Sequence, residues 1–341
     1  MPENLHTTDA IVIGAGPVGL FAVFACGMVK IRCHVVDALE TLGGQLTTLY
    51  PEKPIFDIPG HPRILAADLI ARLAEQAAPF QPVFHLGQRV ERVERVECQR
   101  SGHFRLTTAQ GMRFECPVVI LAAGAGVFAP NRPPLAGLDA FEGTSVFYHV
   151  RRREDFRGQR VVIAGGGDSA IDWALSLIDV AARVMVVHRR PKFRAAPDSV
   201  ARLHQQAQAG ALDLVAPYQL HGVEGHKGRL SAVVVAALNG TTRRLEADVL
   251  LPFFGLTQEP GPIAGWGVTL EHHHVLIDPA TSMTNIAGIF AAGDIATCPG
   301  KLKLILTGFA EATRAARAAY AFVHPETALH FEHSTTTGVP T

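Results

Sequence analysis

The sequence has no net charge, because 31 lysines and arginines balance 31 aspartates and glutamates among 341 residues. A balanced chain gives no overall electrostatic reason to bind nucleic acid or an anionic membrane. It has no low-complexity tract, and residues 1–9 lack the basic region of a signal peptide. Since 48% of the residues are hydrophobic and 18% are charged, the composition predicts a globular protein of about two domains.

The cysteines form no CxxC pair and no spacing typical of a metal site. They are Cys26, Cys33, Cys98, Cys116 and Cys298. This scatter favours reduced thiols that are buried as small hydrophobic residues, and therefore a cytoplasmic protein. The run His272–His274 resembles a metal site at first sight, but three consecutive side chains cannot all face one centre. We expect a solvated turn there, and no metal site.

Residues 10–29 are almost continuously apolar, yet Gly14-Ala-Gly16-Pro17-Val-Gly19 interrupts them, which favours a buried strand and helix over a membrane span. In such a unit the first glycine allows a tight turn, the second lets backbone approach a pyrophosphate, and the third lets helix and strand pack closely. A second strand, Cys33–Val36, ends on Asp37, which can bond a ribose hydroxyl. The first unit therefore predicts a dinucleotide site.

A second unit of the same kind begins at Arg160, where the strand Val161–Ala164 runs into Gly165-Gly-Gly167-Asp168-Ser169-Ala170. Its second strand, Val184–Val187, is followed by His188-Arg189-Arg190, with Lys192 and Arg194 close behind. An adenosine 2′-phosphate needs cations where a free hydroxyl would take a carboxylate. This unit predicts NADP(H), with a solvated basic loop as the alternative.

The two units predict an α/β fold with two Rossmann-like nucleotide-binding domains, an arrangement that resembles the three-layer ββα domains of the glutathione and thioredoxin reductases. The acid-ended unit would hold FAD and the arginine-ended unit NADPH, although both units could serve other ligands. We expect a discontinuous FAD domain, residues 1–122 and 250–341 with a tail over 323–341, around an NADPH domain of residues 123–249. The pattern also predicts a helix over 64–78 and one strand over His85–Glu97.

Several motifs together resemble the low-molecular-weight thioredoxin reductases: Gly43-Gly44-Gln45-Leu46, GGGDSA, HRRxxFR and AAGDI. Those enzymes carry a CxxC pair just before the second glycine motif, where this chain has SVFYHVRRREDFRG. Disulfide exchange needs both an attacking and a resolving thiol, so an internal dithiol mechanism is excluded. The segments TLYPEKPIFDIPG and GDIATCPGKLKLILTGFAEA and a tail with HSTT resemble the thioredoxin-reductase-like ferredoxin–NADP⁺ reductases.

This resemblance implies roles for individual residues. For FAD, Gln45 would bond near the flavin, Val90 would meet the adenine through its backbone, and Asp294 would bond the ribityl chain. Tyr50 and His333 would stack on the two flavin faces, with no acid or base catalyst. The implied FAD contacts are Gly14, Gly16, Pro17, Gly19, Asp37, Gln45, Tyr50, Val90, Phe128, Asp294 and Thr335, and the NADP contacts are Gly165, Gly167, Asp168, Ser169, Arg189, Arg190 and Arg194.

The resemblance further implies hydride transfer from NADPH to the flavin, single-electron transfer to ferredoxin or flavodoxin, and a homodimer. Arg151–Arg153 would form either a docking surface for an acidic carrier or a solvated face. Asp57 is either a turn residue or part of a network at the flavin. Other functions stay open: a disulfide reductase with an external dithiol, a flavin monooxygenase, or a non-catalytic flavoprotein that senses NADPH or redox state.

Overall fold

The computed structural model describes residues 5–96, 102–124, 126–330 and 332–340, without the side chains of residues 127–129, 256–258 and 337. The chain forms two compact units. The first unit comprises Met1–Phe128 and Gln258–Thr341, and the second unit comprises Ala129–Thr257.

The strands are, in chain order, β1 (Leu5–Thr7), β2 (Ala10–Ile13), β3 (Cys33–Val36), β4 (Pro54–Ile55), β5 (Ile64–Leu65), β6 (Val83–His85), β7 (Val90–Val96), β8 (His103–Thr108), β9 (Arg113–Cys116), β10 (Val118–Leu121), β11 (Val127–Pro130), β12 (Arg160–Ala164), β13 (Arg183–Val187), β14 (Asp213–Val215), β15 (Gln219–His226), β16 (Arg229–Ala236), β17 (Thr242–Glu246), β18 (Val249–Pro252), β19 (Leu256–Glu259), β20 (Leu270–Glu271), β21 (His274–Leu276), β22 (Ile289–Ala291) and β23 (Ala296–Thr297).

The α-helices are α1 (Pro17–Met28), α2 (Gln45–Thr48), α3 (Ala66–Ala77), α4 (Asp168–Leu177), α5 (Pro197–Gln208), α6 (Ile305–Val323) and α7 (Ser334–Thr337). Short 3-10 helices cover Ala78–Phe80, Leu138–Phe141, Arg153–Phe156, Gly261–Gly265 and Gly293–Ile295. Among the described residues, none of the helices has the length and apolar character needed to cross a membrane.

The first unit is built on a parallel five-stranded sheet in the order β22-β10-β2-β3-β6. Strands β2 and β10 are buried along their whole length, which explains their continuous apolar sequence, since both faces of a parallel sheet are covered. Helix α1 packs on one face together with α6, whose alanines allow close approach. The sheet β1-β9-β8-β7 supplies Phe104, Leu106 and Phe114 to the core on the other face.

The second unit repeats this arrangement with a parallel sheet in the order β14-β13-β12-β18. The antiparallel sheet β15-β16-β17 packs on one face, where residues such as Val233 and Leu245 meet Val162 and Val187. Helix α4 buries Ile171 and other apolar residues, and it packs against β12, β13 and α5. Helices, parallel sheet and antiparallel sheet give three layers in each unit, so the predicted fold class is confirmed.

Local differences from the sequence prediction concern single turns. The predicted helix over 64–78 is α3. The strand predicted over His85–Glu97 is confirmed over Val90–Val96, but its start is wrong, and Glu97 lies outside the described residues. Residues of this stretch lie in β6 and β7, which belong to two different sheets and are separated by a turn at Gly87 with φ +68°. Of the expected turn over His272–His274, His272 and His273 form a turn with positive φ after β20, whereas His274 begins β21.

Candidate functional site

The glycines of the first turn have two different jobs. Gly14 has φ +109°, and a Cβ there would lie 2.3 Å from the carbonyl oxygen of Ala122. A Cβ on Gly19 would lie 1.8 Å from the Gly14 oxygen. Protein backbone alone therefore requires glycine at both positions. A Cβ on Gly16, by contrast, would meet none of the described atoms within 4 Å, so this side of the turn is open.

The open side of the turn coincides with the start of helix α1. Gly16 precedes the helix, no side chain caps it, and Pro17 takes the first helical position. The first N–H groups of a helix lack partners within the helix, and the helix dipole makes this end favourable for an anion. Here Gly16 leaves room for a phosphate to reach them.

Asp37, directly after β3, turns its carboxylate back onto the glycine turn. Its Oδ2 accepts a hydrogen bond from the Ala15 N–H at 2.6 Å, and its Oδ1 accepts one from the Leu39 N–H at 2.8 Å. Burial raises the pKa of the Asp37 carboxyl, and these two backbone bonds oppose that rise. The predicted ribose ligand therefore also supports the phosphate turn itself.

The loop after β3 packs on the same turn. The Gly43 N–H donates to the Ala15 oxygen at 2.8 Å, and a Cβ on Gly44 would lie 3.3 Å from the Cα of Gly16. Helix α2 follows and begins with Gln45, whose amide nitrogen is 3.7 Å from the place of a Gly124 Cβ. Gly124 follows β10, so the side chain of Gln45 lies at the carboxyl edge of the sheet, where ligands of such folds bind.

Tyr50 and Asp294 lie close enough to act on each other electrostatically. Burial raises the pKa of Tyr50 to about 12, and the negative charge of Asp294 adds to this rise. The Lys53 ammonium lies 5.8 Å from the centre of the Tyr50 ring. Asp294 stands in the short helix Gly293–Ile295 that follows β22. The structure thus brings two predicted flavin ligands together in the first unit.

A buried ion pair that sequence reasoning missed supports the turn at Asp294. Lys301 and Glu311 have side chains only 5% and 0% exposed, with Nζ and Oε2 2.9 Å apart. The Gly293 N–H donates to Glu311 Oε2 at 2.8 Å, and Lys301 donates to the Gly293 oxygen. Glu311 Oε1 has no hydrogen-bond partner among the described residues. The only signal in the sequence was one acidic residue within an alanine-rich helix.

The remaining predicted FAD ligands differ in what surrounds them. Val90 is buried at the start of β7. Two residues earlier, the Gln88 N–H donates to the backbone carbonyl oxygen of Asp37 at 2.8 Å. His333 and Thr335 are exposed at α7. The side chain of Phe128 lies outside the described residues. Asp57 is exposed, and its two interpretations both stay open.

The second turn also has an open and a closed side. A Cβ on Gly165 would lie 2.7 Å from the Phe253 oxygen, and one on Gly166 would lie 2.2 Å from the His188 ring. A Cβ on Gly167 would meet none of the described atoms within 4 Å, and Gly167 precedes α4 without a side-chain cap. Gly167 therefore leaves the same open space at the start of its helix as Gly16 does in the first unit.

The cations beside this turn are arginines, and His188 is not one of them. His188 is buried and stacks on Phe193 with ring centres 5.0 Å apart, and burial lowers its pKa. Arg189, Arg190 and Arg194 are exposed. The Arg194 N–H donates to the Gly166 oxygen at 2.7 Å, which holds its segment against the turn.

The predicted polar ligands at the start of α4 are accessible. Asp168 and Ser169 are both exposed. Asp168 Oδ1 accepts a hydrogen bond from the Ala196 N–H at 2.8 Å, so it ties the start of α4 to the segment that follows the arginines. This bond and the one from Arg194 hold the segment that carries the arginines next to the backbone around Gly167.

Two arginines of the basic run before the second turn have acidic neighbours. Arg152 pairs with Asp155 at 2.7 Å, and Arg153 lies 3.7 Å from Glu154. Farther along, Arg160 pairs with Asp248 at 2.7 Å. These ion pairs are solvent-exposed and therefore weak, so both interpretations of Arg151–Arg153 stay open.

Comparisons with known proteins agree with this geometry. A family model described as pyridine nucleotide-disulphide oxidoreductase matches residues 8–319. Curated proteins named ferredoxin–NADP reductase are similar over nearly their full length. The one from Paramagnetospirillum magneticum is 64% identical over 335 residues, covering 98% of both chains, and the one from Rhodospirillum rubrum is 63% identical over 333 residues, covering 98% of this chain and 96% of its own.

Among solved structures, thioredoxin reductases share the fold. That of Lactococcus lactis in its FR conformation is 24% identical with a TM-score of 0.77, and covers 93% of this chain and 99% of its own. That of T. acidophilum is 21% identical with a TM-score of 0.78, over 93% and 98%. Family model and curated relatives together confirm the resemblance found in the sequence: the chain belongs to the pyridine nucleotide-disulphide oxidoreductase family and, within it, to the ferredoxin–NADP reductases.

Proposed function

We propose that this chain exchanges electrons between NADP(H) and ferredoxin or flavodoxin through a bound FAD. One observation carries the proposal: the chain has two open glycine turns, one followed by a half-buried carboxylate and the other by exposed arginines. A free ribose hydroxyl suits the first and a 2′-phosphate suits the second. Without a CxxC pair the flavin cannot pass its electrons to an internal disulfide, so they must go to a separate acceptor. The names of the curated relatives support ferredoxin as that acceptor.

The residues of the first unit fit a dinucleotide with a flavin. The open side of Gly16 and the uncapped start of α1 can receive the pyrophosphate, and Asp37 can bond the adenosine ribose beside it. Bound FAD would supply the chemistry, accepting a hydride and releasing electrons one at a time. Tyr50, Gln45 and Asp294 would orient it, and the phenol of Tyr50 is protonated and uncharged at neutral pH.

The finer expectations rest on the resemblance. We propose that the chain forms a homodimer in the cytoplasm, and that His333 and Thr335 in the tail cover the second flavin face. In the second unit, Gly165, Gly167, Asp168 and Ser169 would bind the NADP pyrophosphate and its ribose. Size-exclusion chromatography with light scattering tests the dimer, since a monomeric mass contradicts it.

The proposed function is tested by stopped-flow reduction with three acceptors in parallel. The purified protein should be yellow, release FAD on denaturation, and oxidise NADPH faster than NADH. Ferredoxin or flavodoxin should be reduced, whereas thioredoxin disulfide should not. NADPH oxidation without reduction of either carrier would favour a sensor or another acceptor, and reduction of the disulfide would contradict the proposal.

A further inference from the structure

Three histidines that are distant in the sequence meet between the two sheets of the first unit. His34 lies on β3 and His85 on the neighbouring strand β6. In the register of these strands His34 pairs with Val83, so His85, two residues farther along, points to the same face of the sheet. His6 reaches that face from β1, which belongs to the other sheet. Three separate strands therefore converge on one point.

The donor atoms of these rings are close enough to share one ion. One ring nitrogen from each histidine lies within 4.8 Å of the other two, and His34 Nδ1 is 3.1 Å from His85 Nε2. Ligand nitrogens of a tetrahedral zinc site are about 3.3 Å apart, because each lies about 2.0 Å from the metal. Small ring rotations would bring all three to that spacing. Phe114 packs behind the cluster, with its ring centre 4.8 Å from that of His85.

The chemistry of the cluster suits a transition metal. The charged group acting on His34 from outside the cluster is Arg32, and the charges acting on His85 are those of His6 and His34. His34 Nδ1 and His85 Nε2 are within hydrogen-bond distance, so one of them carries the proton between them, and a tautomer shift to the other nitrogen of that ring would leave both free to bind a metal. Neutral imidazoles bind zinc, copper and nickel, whereas magnesium and calcium prefer oxygen ligands. All three residues are half-buried, which lets water complete the coordination.

We propose that His6, His34 and His85 form a binding site for one divalent late transition-metal ion, with Zn²⁺ as its representative. The ion would join β1 and its sheet to the parallel sheet. The site also adjoins the first nucleotide turn, because the N–H of Asp37 donates to the oxygen of His85 at 3.1 Å. Metal binding should therefore stabilise the first unit.

Isothermal titration calorimetry tests the site on the full chain with its cofactor bound. The protein carries no affinity tag and is first dialysed against a chelator that is then removed. We expect one Zn²⁺ per chain, at least tenfold weaker binding in His85→Gln and His6→Asn, and a melting temperature that Zn²⁺ raises only in the parent. Co²⁺ should give intense visible bands typical of a low-coordinate nitrogen site.

The matched control is His273→Gln, in the exposed turn formed by His272 and His273. It should bind Zn²⁺ as the parent does. The proposal is overturned if the parent binds no Zn²⁺, if the His6 variant binds it unchanged, or if the control loses binding equally. Circular dichroism and flavin absorbance confirm folding of each variant. If His85→Gln does not fold, the Zn²⁺ affinity of His6→Asn, on the short strand β1, decides whether the proposal stands.

Discussion

The two glycine turns of this chain share one backbone hydrogen bond but differ in the support beneath it. They also differ in conformation, since Gly14 has φ +109° and Gly165 has no positive φ. In each, the first glycine N–H donates to the last carbonyl of the second strand: Gly14 to Val36 at 2.9 Å and Gly165 to Val187 at 3.0 Å. In each, the residue that follows the second strand faces the middle residue of the turn. These two contacts show which positions of the two turns are structurally equivalent.

At these equivalent positions the first unit has Asp37 and the second has His188. The Asp37 carboxylate bonds the N–H of Ala15, whereas the His188 ring fills the space where a side chain of Gly166 would stand. The charge that distinguishes the second site therefore begins one residue later, at Arg189. In both turns, therefore, the residue directly after the second strand supports the turn. In the second turn the positive charge comes from the residues that follow it.

The largest effect on stability is expected at Gly14 in the first turn, where neighbouring backbone atoms leave no room for a Cβ. Gly14→Ala would place a Cβ against the Ala122 oxygen at positive φ, and we expect a loss of about 3 kcal/mol or more in stability, together with the flavin. Thermal unfolding and FAD content measure this. Gly16→Ala is the control, since it should melt normally without cofactor but retain less FAD. Equal melting of the two variants would contradict the division into closed and open sides.

A second large effect is expected at the buried pair of the first unit. Glu311→Gln leaves the Lys301 ammonium buried without its counter-charge, which should cost about 3 kcal/mol in free energy of unfolding. Denaturant unfolding measures the loss, and Glu271→Gln at an exposed position is the control. Replacing both partners, Lys301→Met with Glu311→Leu, should recover much of the stability. A variant Glu311→Gln as stable as the parent would show that the pair is dispensable.

An intermediate effect is expected from Gly166→Ala in the second turn. The new Cβ would force the His188 ring away from its stacked position on Phe193, at a cost of about 1–3 kcal/mol in stability. The reverse change at the equivalent place, Ala15→Gly, should cost less, since Asp37 bonds backbone there. Thermal melts of both variants compare the two turns directly. If Ala15→Gly is the more harmful, the ring and the carboxylate do not support their turns as described.

The smallest effect on stability, but a clear one on specificity, is expected at the arginines. Arg189→Ala with Arg190→Ala should raise the KM for NADPH about 10–100-fold, because each substitution removes a charge-assisted hydrogen bond to the 2′-phosphate. The KM for NADH should not change, because NADH has no 2′-phosphate. Steady-state kinetics with both nucleotides measure the change. Arg243→Ala, at another exposed arginine of the second unit, should alter neither KM. A parent enzyme without preference for NADPH would remove the basis of this prediction.

Much of this architecture could be predicted because its signals are local. The spacing of Gly14, Gly16 and Gly19 between a strand and a helix specifies one turn, and the missing CxxC pair excludes one chemistry, whatever the rest of the chain does. The unbroken strand predicted over His85–Glu97 was wrong at its start for the opposite reason. Both halves of that stretch favour extended backbone, and only their pairing with different sheets places a turn at Gly87.

The sequence by itself determined two nucleotide turns with opposite charge beyond them, since each is encoded within about 30 consecutive residues. Only the tertiary structure decided that His188 points inward under its turn, that Lys301 and Glu311 clamp Gly293, and that His6, His34 and His85 meet. Those contacts join strands and helices far apart in the chain. Burial and proximity then set the charge and hydrogen bonding of each group, which no local pattern of residues reveals.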